Sequence, residues 1–223
     1  SLMNQLPSWQ ERIRALHTAL ITLALLMFSV TTAHATRDPV PDSIRVYKNV
    51  DETELKLHIF YPEDHQATSR TPAIVFFHGG GWQHGRASMF YERCAYLAAR
   101  GMVAMSADYR VVNRPAGEPR ICVQDARSSL RWVRTHAGEL GIDPTRIAAG
   151  GQSAGGQMAA ACAFKGGLDE PGEDTTVSCR PDAIVLFAAP LDTGPDGFVH
   201  EWVEAYWEQF SPIHNIDGDT PPT

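Results

Sequence analysis

Between Ser43 and Tyr61 apolar and polar residues alternate in two short runs, with Ile44, Val46 and Tyr47 in the first and Leu55, Leu57, Ile59 and Tyr61 in the second. A period of two sends successive side chains to opposite faces, so the runs predict an antiparallel pair of strands opening a sheet. Pro62 ends the second. The pattern then changes: Ala73 to Phe77 is continuously apolar behind Pro72, which predicts a strand covered on both faces. Helical spacing follows from Met89 to Arg100 and is closed by Gly101. Met102 to Ser106 reads as the next buried strand, Val123 to Ala137 as a helix and Arg146 to Ala149 as a short strand. Gly155 to Phe164 continues as a helix of small residues, and Ala183 to Ala188 is one more apolar strand.

Strands separated by single helices predict an α/β fold, a mostly parallel, doubly wound sheet with helices on both faces. Ligands of such sheets bind at the carboxyl ends of the strands. Two glycine-rich segments fall there: His78-Gly79-Gly80-Gly81-Trp82 after the strand ending at Phe77, and Gly151-Gln152-Ser153-Ala154-Gly155-Gly156 after the strand ending near Ala149.

The first residues stand apart from this pattern. Arg12 and Arg14 precede the apolar run Ala19 to Val30 and then Ala33-His34-Ala35, the order of a secretory signal peptide cleaved after Ala35. The run is shorter than the roughly 20 apolar residues that span a bilayer. Residues 1–35 are therefore expected to be a leader and 36–223 one partial domain, secreted or periplasmic, with no stable membrane insertion after cleavage. The whole chain carries a formal charge of −7, and loss of Glu11, Arg12 and Arg14 makes it more negative. That balance argues against nucleic-acid partners, which need clustered Lys and Arg. Export permits disulfides among the four cysteines. Cys94, Cys122 and Cys162 sit in apolar helical stretches and read as buried thiols. Cys179 lies in a polar connector, and a Cys162–Cys179 bridge stays open.

The segment Gly151 to Gly155 fits G-x-S-x-G, in which the serine occupies a strained strand-to-helix turn that small neighbours tolerate. The following helix would point its positive end at Ser153, and the Ala154 N–H would be one donor to an oxyanion. Three glycines after a buried strand let a backbone turn its amides outward, and the Gly80 and Gly81 N–H groups are the further donors. A phosphate-binding loop would need Lys-Ser/Thr after the glycines, where Trp82-Gln83 stands. His78 reads as a scaffold residue of the loop. Trp82, beside that loop, and Gln152, beside the serine, are the candidate substrate contacts. The nine histidines form no metal-ligand spacing, so no metal site is expected.

Four segments in this order, His78 to Trp82, Asp108-Tyr109-Arg110, Asp143 to Ile147 and Gly151 to Gly156, resemble motifs of the α/β-hydrolase superfamily. The likeness is to its hormone-sensitive-lipase-like and acetyl-xylan or feruloyl esterase-like branch, from Ser43 to Thr223. The resemblance implies hydrolysis of carboxylic esters through an acyl-enzyme, without metal or organic cofactor. Substrates would be small-molecule or polysaccharide esters with short acyl, acetyl or feruloyl groups. Carried over by position, Ser153 is the nucleophile and Gly80, Gly81 and Ala154 are the oxyanion donors. Asp108, Arg110, Asp125 and Asp143 fall at positions that read as structural polar groups.

In this fold the acid and then the histidine follow the serine along the chain. The family places its acid after a strand that follows a Pro-Pro-Thr-like segment, and here Asp219-Thr220-Pro221-Pro222-Thr223 closes the sequence. The expectation is a domain lacking its last strands and helices, with acid and base beyond Thr223 and the piece inactive or weakly active. A rewired triad is the alternative, with Asp192 as acid and His200 or His214 as base. The same serine machinery serves amidase, peptidase or formamidase-like chemistry, and a binding protein that has lost its triad is a further alternative. Phe198, Trp202, Tyr206, Trp207 and Phe210 recur at helical spacing, for packing on the sheet or for lining an acyl pocket.

Overall fold

The computed structural model describes residues 38–112, 118–164 and 167–223. The expected leader over residues 1–35 lies outside them. Among the described residues, six strands form one sheet in the order β1-β2-β4-β3-β5-β6. The strands are β1 Ser43–Val50, β2 Thr53–Phe60, β3 Thr71–Phe77, β4 Val103–Ala107, β5 Ile142–Gln152 and β6 Ala183–Phe187. β1, β2 and β4 are antiparallel neighbours, whereas β4, β3, β5 and β6 run parallel. This is the mostly parallel α/β sheet expected of the sequence.

The alternation along β3 sorts its residues between two cores. Ala73, Val75 and Phe77 join the larger one with Leu57 and Met105, beneath helices α2 (Arg120–Thr135) and α3 (Ala154–Cys162). Ile74 and Phe76 face the other way, toward Phe90 and Cys94 of a 3₁₀ turn, Ala87–Phe90, and helix α1, Tyr91–Ala98. Ala73 to Phe77 are all buried, which is why that run carries no polar alternation. Fully burying each of Ile74, Val75, Phe76 and Phe77 contributes about 1.5–3 kcal/mol.

Element boundaries shift from the sequence reading, and three of the differences have a local reason. The segment expected as a helix from Met89 begins as a 3₁₀ turn, and the α-helix starts at Tyr91. Strand β5 begins at Ile142 and not Arg146, because the chain pairs on both sides of an irregularity between the Thr71 and Ala73 partners. Asp143 makes a tight turn there, its Oδ1 accepting from the Thr145 N–H at 3.0 Å, and Pro144 has no N–H to give the ladder. The aromatic segment is two single turns, α4 His200–Val203 and α5 Trp207–Phe210, not one helix. Val199 at φ 57° precedes the first, and Tyr206 at φ −147° and ψ 20° separates them. Phe210 is consequently buried while Phe198 is 60 % exposed.

β6 forms one edge of the described sheet, its Ile184 N–H donating to the Pro222 carbonyl at 2.9 Å. Val185 and Phe187 stay exposed. With Tyr96 and Leu97 of α1 they line a trough of about 810 Å³.

Candidate active site

β3 and β5 end side by side, Phe77 opposite Gly151. Parallel neighbours in this register release the two glycine-rich segments at the same end of the sheet. A β-carbon built on Gly79 would lie 3.5 Å from Ser153 Cβ and 3.1 Å from the Gln152 carbonyl oxygen, so the loop runs directly over the serine.

Ser153 links β5 to α3 at φ 52° and ψ −122°, a left-handed conformation that a residue with a Cβ enters at a cost of about 1–3 kcal/mol. The bend is held from both sides: the Ser153 N–H donates to the Phe187 carbonyl at 2.9 Å, and its carbonyl accepts from the Gln157 N–H at 3.0 Å. Its side chain is half-buried. Helix α3 starts at Ala154, so its first-turn amides and positive end face the serine. Gly80 lies at φ 129°, where a β-carbon would also overlap the His84 carbonyl; glycine alone fits. Among the described residues, the amides of Gly80, Gly81 and Ala154 donate to no protein acceptor. The arrangement is a hydroxyl on a strained bend under Gly79, with amides in both segments that meet no protein acceptor among the described residues.

His78 is 2 % exposed, and burial lowers its pKa, so the imidazole is neutral at pH 7. Its Nδ1 lies 2.8 Å from the Gly79 carbonyl. The ring stacks on that of Tyr109, centroids 4.2 Å apart. Tyr109 is a residue the motif reading left without a role; its signal was an aromatic side chain with a polar tip just past the end of a buried strand. Asp125, fully buried, accepts from the Arg110 N–H at 2.9 Å and from its guanidinium at 2.8 Å, and from Lys48 Nζ at 2.7 Å. Asp125, Arg110 and Asp143 therefore sit in structural networks, as expected of them.

The candidate substrate contacts fare differently. Gln152 is exposed beside Ser153. Trp82, however, is 1 % exposed, packed edge-on to Trp202 at 6.4 Å and against Phe210 at 5.7 Å. Its φ of 62° turns the indole under the loop into the larger core, so in this conformation the ring supports the loop and is closed to solvent.

The rewired triad is not assembled. His214 Nδ1 lies 2.8 Å from the buried Ser211 Oγ and 3.8 Å from Asp192 Oδ1, and His200 Nδ1 lies 3.2 Å from the Thr193 carbonyl. Among the described residues, Ser153 Oγ has no hydrogen-bond partner, neither histidine included. Nor is there, among them, a helix long and apolar enough to cross a membrane, or a group of three His, Cys, Asp or Glu side chains that could hold a metal ion.

All four cysteines are buried thiols, none of them in a disulfide. Burial pushes the Cys94 thiol up to about 12 and also raises those of Cys162 and Cys179. The polar surroundings expected of Cys179 give way to a place in the larger core.

Residues 57–194 match the family model BD-FAE. Carboxylesterase NlhH of Mycobacterium tuberculosis is 35 % identical over 116 residues, 50 % of this chain and 34 % of that protein. The probable isoprenylcysteine alpha-carbonyl methylesterase ICMEL1 of Arabidopsis thaliana is 33 % identical over 134 residues, 60 % of this chain and 27 % of that protein. The chain thus spans about a third or less of the length of these relatives. Among solved structures, the apo form of Thermogutta terrifontis esterase 2 superposes with a TM-score of 0.77 at 43 % identity, covering 85 % of this chain and 72 % of that one. The same esterase phosphorylated by paraoxon gives 0.74 at 44 % identity, covering 81 % and 67 %.

Proposed function

The chain belongs to the BD-FAE family, within the esterase-rich α/β-hydrolase superfamily, and from that premise we propose that it hydrolyses carboxylic esters through an acyl-enzyme on Ser153. The observation that carries the reading is the conformation of Ser153, a strained bend packed under Gly79 at the start of α3. Ser153 Oγ attacks the ester carbonyl, and the carbonyl oxygen, as it gains charge, accepts from the Gly80, Gly81 and Ala154 N–H groups. The alcohol leaves, and water releases the acid. Each donor of this kind contributes about 10²–10³-fold in rate. Substrates are short acyl, acetyl or feruloyl esters, on small molecules or on plant polysaccharide outside the inner membrane, in keeping with the leader read at residues 1–35. No residue is assigned as base or acid.

The test is release of 4-nitrophenol from 4-nitrophenyl acetate by the chain and by Ser153→Ala. The chain should exceed the buffer rate, and Ser153→Ala should fall well below the chain, toward the about 10³–10⁴ over water that oxyanion stabilisation and binding alone can give. Equal rates would remove Ser153 as nucleophile. The lack, among the described residues, of an imidazole on Ser153 Oγ favours one second reading, a fold that binds esters without turning them over. Saturable binding of the ester at the buffer rate of hydrolysis would select it.

A further inference from the structure

We propose that Tyr109 is a positioning residue which, through the imidazole of His78, sets the direction of the Gly80 N–H. The Tyr109 hydroxyl donates to the His78 carbonyl at 2.8 Å and lies 3.0 Å from His78 Nδ1. A phenol has a single proton, and here the carbonyl takes it. His78 Nδ1 must then be the donor, because its two neighbours, the phenol oxygen and the Gly79 carbonyl at 2.8 Å, are both acceptors toward it. The imidazole is therefore the Nδ1–H tautomer, its proton shared between Gly79 and Tyr109.

The consequence follows from peptide geometry. The C=O and N–H of a trans peptide lie in one plane and point in opposite directions, and the Gly79 carbonyl shares its plane with the Gly80 N–H. Tying that carbonyl back to His78 turns the Gly80 N–H outward on the opposite side. A glycine linkage has no side chain to hold this plane, so the hold comes from His78, and Tyr109 keeps His78 in place. Tyr109 is itself clamped. The Asp108 carbonyl accepts from Tyr47 Oη at 2.6 Å, and the Arg110 N–H donates to Asp125 at 2.9 Å. Gly85 closes the other side, where a β-carbon would run into His78 Nδ1 and the Gly79 carbonyl.

The inference rests on the esterase reading only for its kinetic consequence, and the test separates the two. In the ¹⁵N-labelled full chain, His78 should show a pyrrole-type Nδ1 and a pyridine-type Nε2; the reverse pattern overturns the proposal. In Tyr109→Phe, which keeps the ring stack and loses the hydroxyl, the residual dipolar coupling of the Gly80 N–H should move while that of Ala154 stays. An unmoved Gly80 coupling overturns the proposal whatever the kinetics. If Tyr109→Phe does not fold, the same coupling is read in His78→Asn, whose amide N–H replaces the donor and should preserve it, and in His78→Leu, which should not. Where Ser153→Ala abolishes hydrolysis of 4-nitrophenyl acetate, Tyr109→Phe should lower kcat about tenfold, with KM within about twofold, since the hold acts where charge develops. A rise in KM at constant kcat would refute the positioning role. Wild-type hydrolysis by Ser153→Ala would refute the nucleophile and leave the coupling to decide the role of Tyr109.

Discussion

Gly155 lies with its α-carbon against the Phe77 carbonyl, so close that a β-carbon there would overlap that oxygen and the His78 carbonyl. The same crowding recurs at Gly151, where a β-carbon would meet the Gly155 backbone and lie 2.7 Å from the Phe77 oxygen. The end of β3, the serine bend and the start of α3 are thus packed backbone to backbone. This contact brings the loop after β3 over Ser153.

Gly155→Ala should therefore displace α3 or β3, neither of which can move without opening the core. A cost of about 1–3 kcal/mol is expected from overpacking, equivalent to roughly 2–4 °C in thermal midpoint per kcal/mol for a domain of this size. Gly138→Ala is the control, because nothing lies within 4 Å of its β-carbon position. A calorimetric scan in which both variants melt with the wild type would contradict the crowding.

Ser153→Gly should raise stability while ending the ester hydrolysis proposed for Ser153. The serine sits at φ 52°, and glycine relieves a strain of about 1–3 kcal/mol, less the roughly 0.5–1 kcal/mol that glycine loses in chain entropy. Ser153→Ala keeps the β-carbon and should melt with the wild type. The two variants measured side by side isolate the bend. If glycine melts no higher than alanine, the bend is not strained.

Much of this was legible in the sequence, and the losses have physical causes. Apolar periodicity located every strand because burial on one or both sheet faces dictates it. The serine bend was legible because steric crowding at Gly151 and Gly155 admits one residue type. The tautomer of His78 and the role of Tyr109 were not legible, since their contact joins residues 31 positions apart and depends on which way two carbonyls point. Nor was the inward turn of Trp82 legible: a tryptophan beside a glycine-rich loop suggests substrate contact, whereas here its backbone at φ 62° goes with a ring packed in the larger core. The aromatic run from Phe198 kept helical spacing across a break that spacing does not encode.

The four thiols should be inert in the folded protein and all present on unfolding. With a pKa of about 12, Cys94 holds about one part in ten thousand as thiolate at pH 8, and burial blocks the reagent as well. Ellman's reagent should give no fast phase in native buffer and four equivalents in urea without reductant. Two equivalents in urea would mean that Cys162 and Cys179 are bridged.

Asp125→Ala should be among the most destabilising changes outside the two cores. It would leave Lys48 and Arg110, 13 % and 20 % exposed, with Glu170 at 2.5 Å as their remaining carboxylate. Breaking a buried ion pair by deleting one partner costs about 3–5 kcal/mol. The surviving Glu170 places the expected loss near the lower figure, about 3 kcal/mol, read as a lower urea midpoint at unchanged m-value. A loss under about 0.5 kcal/mol would show the network to be dispensable.

Asp143 gives the fold an acid-sensitive joint whose sign can be worked out. The Thr145 N–H and hydroxyl donate to Oδ1 at 3.0 and 2.7 Å, and Arg146 approaches Oδ2 at 3.3 Å. These contacts, led by the Thr145 backbone bond, hold the carboxyl pKa down at about 2, against an ordinary value of 3.8. A group whose pKa is lower folded than unfolded binds fewer protons folded, so stability rises with pH between the two values. The contribution of Asp143 is complete above the unfolded value and fades as pH falls from about 4 toward 2. Asp143→Asn cannot titrate and offers the turn a weaker acceptor. It should melt below the wild type at pH 6, and the gap should close steadily on acidification until the two coincide near pH 2. A gap of constant width from pH 6 to pH 2 would show that the carboxylate charge plays no part in holding the irregular start of β5.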